Sequence, residues 1–374
     1  MHTDKQRLLE LFCRLVSCDS PSYGENDVRD AVVSELQDIG VDVEEDGAAD
    51  LIGGTSGNLY ARVDGDPSLE PVLFSAHLDT VEPSSGKKAV IHDDGMITSA
   101  GDTVLGADDA GGLASILHAL RRIIETGVRH RPIELVFDAC EERYCVGVQR
   151  FDYSRVCAGQ VYVLDVDGRV GRAAVEAPSI VQYKAVFNGR AAHAGFSPEK
   201  GLNAVKAAAE AVTAIECGRI GDMTVNVGSV SGGIADNIVP PECTLTGEVR
   251  GFDDLLVRNK IGEISSVMRS SAEKHGLSCD FGFRVICRAF RTHEDSKVCK
   301  RYERACRLSG VEPEFIRTYG ASTNNHWSEW GLSGIVISCA MNNCHSVKEW
   351  SSVDELARSA EIVYNLMTDC GDTE

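Results

Sequence analysis

The chain has 374 residues, 43% of them hydrophobic, and carries 37 Lys and Arg against 57 Asp and Glu, a formal net charge of -20. That length supports a sizeable core and two domains, while the acidic balance repels phosphate backbones and anionic lipid and argues against nucleic acid or membrane as partner. No apolar run approaches the ~20 residues of a membrane span. The N-terminal MHTDKQRLLELFCRLV lacks the basic start and apolar core of a signal peptide. Fourteen scattered cysteines without C-x-x-C spacing read as reduced, mostly buried small hydrophobes of a cytoplasmic protein.

Apolar spacing predicts helices over 4–16 and 26–39 around a loop at 17–25 that contains Ser20-Pro21, with Gly40 closing the second helix. An acidic, glycine-rich connection leads to a strand at 58–63, a turn at 64–67 and a strand at 72–76, with His77 and Asp79 just beyond its end. Leu113, Ile116, Leu117, Leu120 and Ile124 keep helical spacing, which places Asp108 and Asp109 ahead of a buried helix. The run 133–137 leads into Cys140-Glu141-Glu142, a further helix is expected next, and a strand at 161–164 ends in Asp165-Val166-Asp167-Gly168. Strands alternating with helices, with acids at the strands' C-terminal ends, predict a mixed, largely parallel α/β sheet whose ligands gather beyond those ends.

From about Ala177 the pattern changes. A strand at 179–187, an Ala-rich helix at 201–217, strands at 223–230 and 243–249, a helix at 254–275 and a strand at 278–286 spell βαββαβ, the ferredoxin-like unit. A helix at 297–308, a strand at 335–339 and a helix at 353–367 then return the chain to the first sheet. The expected organisation is a first domain in two parts, 1–176 and 290–374, interrupted by an inserted domain at 177–289.

His77, Asp108, Glu141-Glu142, Asp165 and His345 all fall at or just after predicted strand ends or helix starts. Two imidazoles and several carboxylates suit a pair of zinc-like ions that share one bridging carboxylate and keep room for water. Without cations, burying these acids together is prohibitively costly. Asp167 competes with Asp165 as the strand-end ligand, because residues two apart on an extended strand face the same way. Gly106-Ala-Asp-Asp-Ala-Gly-Gly112 imitates a phosphate loop but has no Lys and two acids where phosphate would sit. H-E-x-x-H and G-x-S-x-G are both missing.

In order and spacing, HLDTV, GADDAGG, the Glu-Glu pair, VLDVDG, RAAHAGFSPEKGLNA, GGIADNIVP and CHSVKEW resemble the di-zinc exopeptidase superfamily of peptidase T, glutamate carboxypeptidase and aminoacylase, most nearly its peptidase T-like tripeptide aminopeptidases. The resemblance spans nearly the whole chain. It implies that the two-part domain is catalytic and the insertion a lid or dimerisation domain. It further implies two divalent ions, zinc with cobalt or manganese as alternatives, one held by His77, Asp108 and Asp165 and the other by Asp108, Glu142 and His345. Asp79 would orient His77 through its second nitrogen, and Glu141 would be the general base that takes a proton from the metal-bound water and passes it to the leaving amine. An Asp at position 165 is similar to the aminopeptidases, whereas carboxypeptidases and deacylases of the superfamily tend to have Glu. His193 resembles a histidine that reaches the partner's active site in dimeric members, and Asn237 and Arg250 match substrate-contact positions, Arg250 being suited to a peptide carboxylate. The implied function is release of the N-terminal residue from short peptides, the implied assembly a homodimer through the insertion. A deacylase of N-acyl amino acids, a carboxypeptidase, or a non-catalytic metal-holding binding module are the alternatives. Three positions depart from the pattern: Ala110 for a common Lys, Thr323 for an expected Asp, and Cys140 for a frequent Gly.

Overall fold

The strand Val72–His77 is buried at all six positions, as is Ile133–Asp138 beside it, because helices or loops cover both faces of the sheet they share. The structure, a computed structural model, describes residues 4–371. It divides into two compact units. One comprises the chain up to Glu176, Arg291–Arg317 and the chain from Ser322 onward; the other comprises Ala177–Phe290 with the short return Thr318–Ala321.

In the first unit the strand order is Val43–Glu45, Leu59–Val63, Ile133–Asp138, Val72–His77, Gln160–Leu164, Ser333–Ile337, Arg172–Ala177 and Phe290–Arg291, with Glu314–Arg317 also paired to Arg172–Ala177. The central pairs are parallel, as is Glu314–Arg317 with Arg172–Ala177, while Val43–Glu45 with Leu59–Val63, Leu59–Val63 with Ile133–Asp138 and Ser333–Ile337 with Arg172–Ala177 are antiparallel. Alternation divides the strands' side chains between two faces. Ile133, Leu135, Phe137, Phe74 and Tyr162 share a core with Leu113, Leu117 and Leu120 of helix Ala107–Thr126 and Val363 and Leu366 of helix Val353–Thr368. Phe74 stacks on Tyr162 with centroids 5.5 Å apart. Each such apolar side chain contributes about 1.5–3 kcal/mol when fully buried. Glu134, Val136 and Asp138 alternate to the opposite face, where Tyr60 donates to Glu134 at 3.2 Å and Thr323 to Asp138 at 2.8 Å.

The second unit is a five-stranded antiparallel sheet in the order Gly218–Ile220, Met223–Gly232, Glu242–Gly251, Ser179–Asn188, Ser278–Cys287. Helices Ala204–Ala214 and Asp254–Lys274 pack on it. Val181, Tyr183, Ala185 and Phe187 point into the core between sheet and helices, while Lys184 between them is exposed. Apart from the extra short strand Gly218–Ile220, this is the ferredoxin-like order.

Several local expectations are corrected. No α-helix follows Glu142; three 3₁₀ turns, Glu141–Arg143, Val148–Arg150 and Tyr153–Arg155, occupy that stretch, since Tyr144 and Cys145 take left-handed conformations (φ 65° and 54°) that interrupt a right-handed helix. The Ala-rich helix starts only at Ala204, where the Asn203 side chain accepts the Lys206 amide, and ends at Ala214. The last sheet strand is Ser333–Ile337, leaving Cys339 beyond it. A small sheet of Ala89–Ile91, Met96–Ser99 and Trp350–Ser352 and the helix Thr323–Glu329 were not foreseen.

Candidate metal centre

His77 is the last residue of its strand rather than lying beyond it, and its parallel partner in register is Asp138. Asp108 and Asp109 open the helix Ala107–Thr126 with non-helical dihedrals and are joined by a cis peptide bond. The two carboxylates then diverge in use. Asp108 faces the cluster: its Oδ1 lies 2.8 Å from His77 Nε2 and its Oδ2 lies 3.3 Å from His345 Nε2. Asp109 turns to the backbone, accepting the amides of His77 at 3.1 Å and Gly112 at 3.0 Å, with the Cys339 thiol donating at 3.4 Å. This packing explains the glycine pair after it. A Cβ on Gly111 would meet the Cys339 carbonyl oxygen at 2.5 Å, and one on Gly112 would meet Asp109 Oδ1 at 2.3 Å.

The Glu141-Glu142 pair sits in a 3₁₀ turn between Cys140 (φ 53°) and Tyr144 (φ 65°), both left-handed. A glycine would take the Cys140 conformation without strain. Here the strained residue is held instead by buried Glu25, whose Oε1 accepts the Cys140 amide at 3.2 Å and its thiol at 2.9 Å. Asp79 clamps the other side. Its Oδ1 accepts the Glu141 amide at 2.8 Å, and its Oδ2 accepts the Glu142 amide at 3.2 Å and the Ser22 hydroxyl at 2.7 Å. Toward His77 the Asp79 carboxylate approaches only to 3.5 Å; the 2.9 Å partner of His77 Nδ1 is the Asp79 carbonyl oxygen. The ring is therefore oriented by the backbone of Asp79 more than by its side chain.

Asp165 joins the cluster, 4.0 Å from His77 Nε2. Asp167 does not: it is exposed, and its Oδ2 accepts the Cys344 amide at 3.0 Å. His345 has φ 58° and places Nε2 at 3.1 Å from Glu142 Oε1. Two sets of donor atoms lie mutually within 4.8 Å, His77 with Asp108 and Asp165, and Asp108 with Glu142 and His345. Asp108 is common to both.

Electrostatics show why this cluster suits cations. Burial pushes Glu141, Glu142 and Asp165 up from their usual carboxylate range, and neighbouring carboxylates push them further. Burial acts on Asp108 in the same sense, but hydrogen bonds from His345 and His77 hold it well below that range. His345, facing first the Asp108 and then the Glu142 carboxylate, is raised to about 10. Glu142 Oε1 is buried without a hydrogen bond of normal geometry. Imidazole and carboxylate together are the donors of zinc-like ions rather than the all-oxygen shell of calcium. The residues present thus fit a pair of such ions. Glu141 stands beside them outside both sets, with the Cys145 thiol donating to its Oε1 at 3.2 Å.

In the second unit His193 is exposed, and its Nδ1 accepts the amides of Gly195 and Phe196, each at 3.1 Å. The neutral ring then carries its proton on Nε2. Asn237 is adjacent, its carbonyl accepting the Ala194 amide at 2.9 Å. Arg250 lies apart from this pair in the hydrogen-bond pattern. It donates to Glu248 at 2.7 Å and to the Tyr319 carbonyl at 3.1 Å, so its guanidinium is partly committed within its own unit.

Metal-dependent hydrolysis is the class of chemistry that this fold and donor set define. Residues 175–275 match the family model described as peptidase dimerisation domain, and residues 58–185 match that of peptidase family M28. An uncharacterised protein of Bacillus subtilis, YqjE, is 30% identical over 361 residues, covering 96% of this chain and 97% of its own. Aminopeptidase PepT of Bacillus cereus superimposes with a TM-score of 0.89 at 31% identity over 97% of this chain and 98% of its own. A Staphylococcus aureus tripeptidase gives 0.92 at 28% identity over the same shares. The chain belongs to the M20 peptidases, among their peptidase T-like members.

Proposed function

We propose that the protein is an aminopeptidase that releases the N-terminal residue of short peptides, tripeptides foremost. The observation that carries this is the pair of donor sets sharing Asp108, with Asp rather than Glu at position 165 and an acid, Glu141, left outside both sets. In this reading His77, Asp108 and Asp165 hold one divalent ion and Asp108, Glu142 and His345 a second, most suitably zinc. Bound there, the ions would polarise the scissile carbonyl and acidify water. The steps at the protein's own residues follow from position. Glu141, its side chain buried and its backbone fixed by Asp79, takes the proton of the attacking water at a carboxylate oxygen and delivers it to the departing amine. Asp79 keeps the Glu141 and Glu142 turn in register with His77. His193, with Nε2 preset as a donor, would reach the partner subunit's active site in a homodimer and hydrogen-bond there the oxygen that gains charge in the transition state. The match of residues 175–275 to a dimerisation domain supports a homodimer through the inserted unit. No helix among the described residues is long and apolar enough to cross a membrane, and a cytoplasmic location is part of the same proposal.

The test is hydrolysis by purified protein, chelated and then reloaded with zinc or cobalt, of tripeptides, dipeptides, N-acetyl amino acids and a peptide with C-terminal glutamate. Release of the first residue from tripeptides, lost on chelation, restored by metal and reduced about 10²–10⁴-fold in Glu141→Gln, is the expected outcome. Turnover confined to N-acetyl amino acids or to the C-terminal residue would replace this reading with a deacylase or a carboxypeptidase.

A further inference from the structure

Glu349 is 2% exposed and occupies no place in either donor set. Its carboxylate reaches back across the chain: Oε2 accepts the Gly106 amide at 2.7 Å and Oε1 accepts the Asp108 amide at 3.0 Å. Both donors belong to the first turn of helix Ala107–Thr126 or its cap, where amides lack partners inside the helix. The same side chain therefore fixes the backbone from which the shared ligand Asp108 projects.

Glu349 also belongs to the segment that carries His345. Asn342 and Trp350 exchange two backbone hydrogen bonds, at 3.1 and 3.0 Å, which close a loop around His345 and Glu349. Inside that loop Asn343 and His345 have φ of 57° and 58°, a conformation that costs non-glycine residues ~1–2 kcal/mol each and persists only where surroundings enforce it. The enforcing contacts are the Glu349 amide donating to Ser346 O at 2.9 Å, the Asn343 side chain donating to Lys348 O at 3.1 Å, and the Cys344 amide donating to Asp167 at 3.0 Å. One end of a short loop thus presents His345, and the other grips the backbone of Asp108.

We infer that Glu349 is a positioning residue for the Asp108, Glu142 and His345 donor set, locking the backbone of the shared carboxylate to the loop that presents His345. The inference rests on reading that set as a metal site. Glutamine at 349 would keep one acceptor oxygen and turn an amide NH₂ toward the other backbone N–H, so the two-point grip would fail with little change in volume. Aspartate would keep the charge but, one methylene shorter, would lose reach to one of the two amides.

The experiment uses the full-length protein, stripped of metal, as wild type, Glu349→Gln and Glu349→Asp. Uptake of Zn²⁺ and Co²⁺ alone is measured by competition with a chromophoric chelator, with the visible absorption of bound Co²⁺ recorded and thermal unfolding of the metal-free proteins followed in parallel. The expected result is two ions bound by wild type, and in both variants an affinity for one ion lower by about 10–100-fold with an altered Co²⁺ spectrum. Two ions bound with wild-type affinity and spectrum, even with a lower melting temperature of the metal-free protein, would overturn the inference and leave Glu349 as a helix cap. Because the aspartate variant retains the charge, it supplies the reading if glutamine prevents folding. Wild-type protein that takes up neither ion overturns the metal-centre reading itself, and the inference with it.

Discussion

One oxygen of Asp79 accepts the backbone amide of Glu141 at 2.8 Å and lies 3.5 Å from Nδ1 of His77. A single buried carboxylate thereby sets the distance between a ligand-type imidazole and the acid proposed as base. Asn at this position retains one acceptor but must direct an NH₂ at the Glu141 amide, the Glu142 amide or the Ser22 hydroxyl, each of which is a donor. Asp79→Asn is expected to lower kcat/KM at least tenfold and metal affinity about 10–100-fold, in a protein that still folds. Steady-state kinetics beside chelator competition measure both; unchanged metal affinity would confine Asp79 to the alignment of Glu141.

Gly111→Ala reverses a familiar rule. Within a helix interior this exchange ordinarily stabilises by ~1 kcal/mol, but here the new Cβ would lie 2.5 Å from the Cys339 carbonyl oxygen. Urea unfolding is expected to show a loss of stability of about 1–3 kcal/mol, the cost of overpacking. Stabilisation by this substitution would mean that the helix and the Cys339 segment are further apart than described.

His193→Ala is expected to lower kcat by about 10²-fold, the scale for loss of one oxyanion donor, with a smaller change in KM and no change in metal content. Gln, whose amide nitrogen can also donate, is expected to recover part of the rate. Equal losses in both variants would point away from hydrogen-bond donation by Nε2.

His326 supplies a pH dependence. Burial lowers it from 6.5 to about 4, and its Nε2 is without a hydrogen bond. A base with a depressed folded pKa contributes stability that is full above the unfolded value of about 6.5 and is lost as pH falls toward 4. The stake is ~3 kcal/mol at 1.36 kcal/mol per unit. Urea unfolding between pH 4 and 7 is expected to show wild type losing more stability on acidification than His326→Gln; parallel curves would remove His326 as the source.

Much of the fold was legible because its signals are periodic. The runs before His77 and Asp165, the helical spacing from Leu113, and the change to βαββαβ near Ala177 follow from burial on one or both faces. What escaped depends on contacts remote in sequence. Nothing in Val-Leu-Asp-Val-Asp separates Asp165 from Asp167; the distinction comes from the Cys344 amide, 177 positions away from Asp167. The strand Trp350–Ser352 is three residues long and gains its identity by pairing with Met96–Ser99. Glu349 reads in sequence as one more charge in CHSVKEW, and only the folded chain delivers the Gly106 and Asp108 amides to it. Sequence pairs Asp79 with His77 but does not say through which oxygen; the tight turn after the strand brings the Asp79 carbonyl to 2.9 Å from Nδ1, closer than the carboxylate at 3.5 Å. A positive φ at Cys140 could have been suspected from the glycine common at that position, since the left-handed region is where glycine has the advantage.

Three buried acids around the centre, Glu25, Glu141 and Asp109, are hydrogen-bonded by thiols, those of Cys140, Cys145 and Cys339. A thiol is a weak donor compared with a hydroxyl or an amide, so it occupies space beside the oxygen while quenching little of its basicity. For Glu141 the result is a carboxylate shielded from water yet still avid for a proton. Cys145 is only 4% exposed, so this soft neighbour is sheltered from oxidation, which would set a polar, bulkier group against the oxygen proposed to accept the proton.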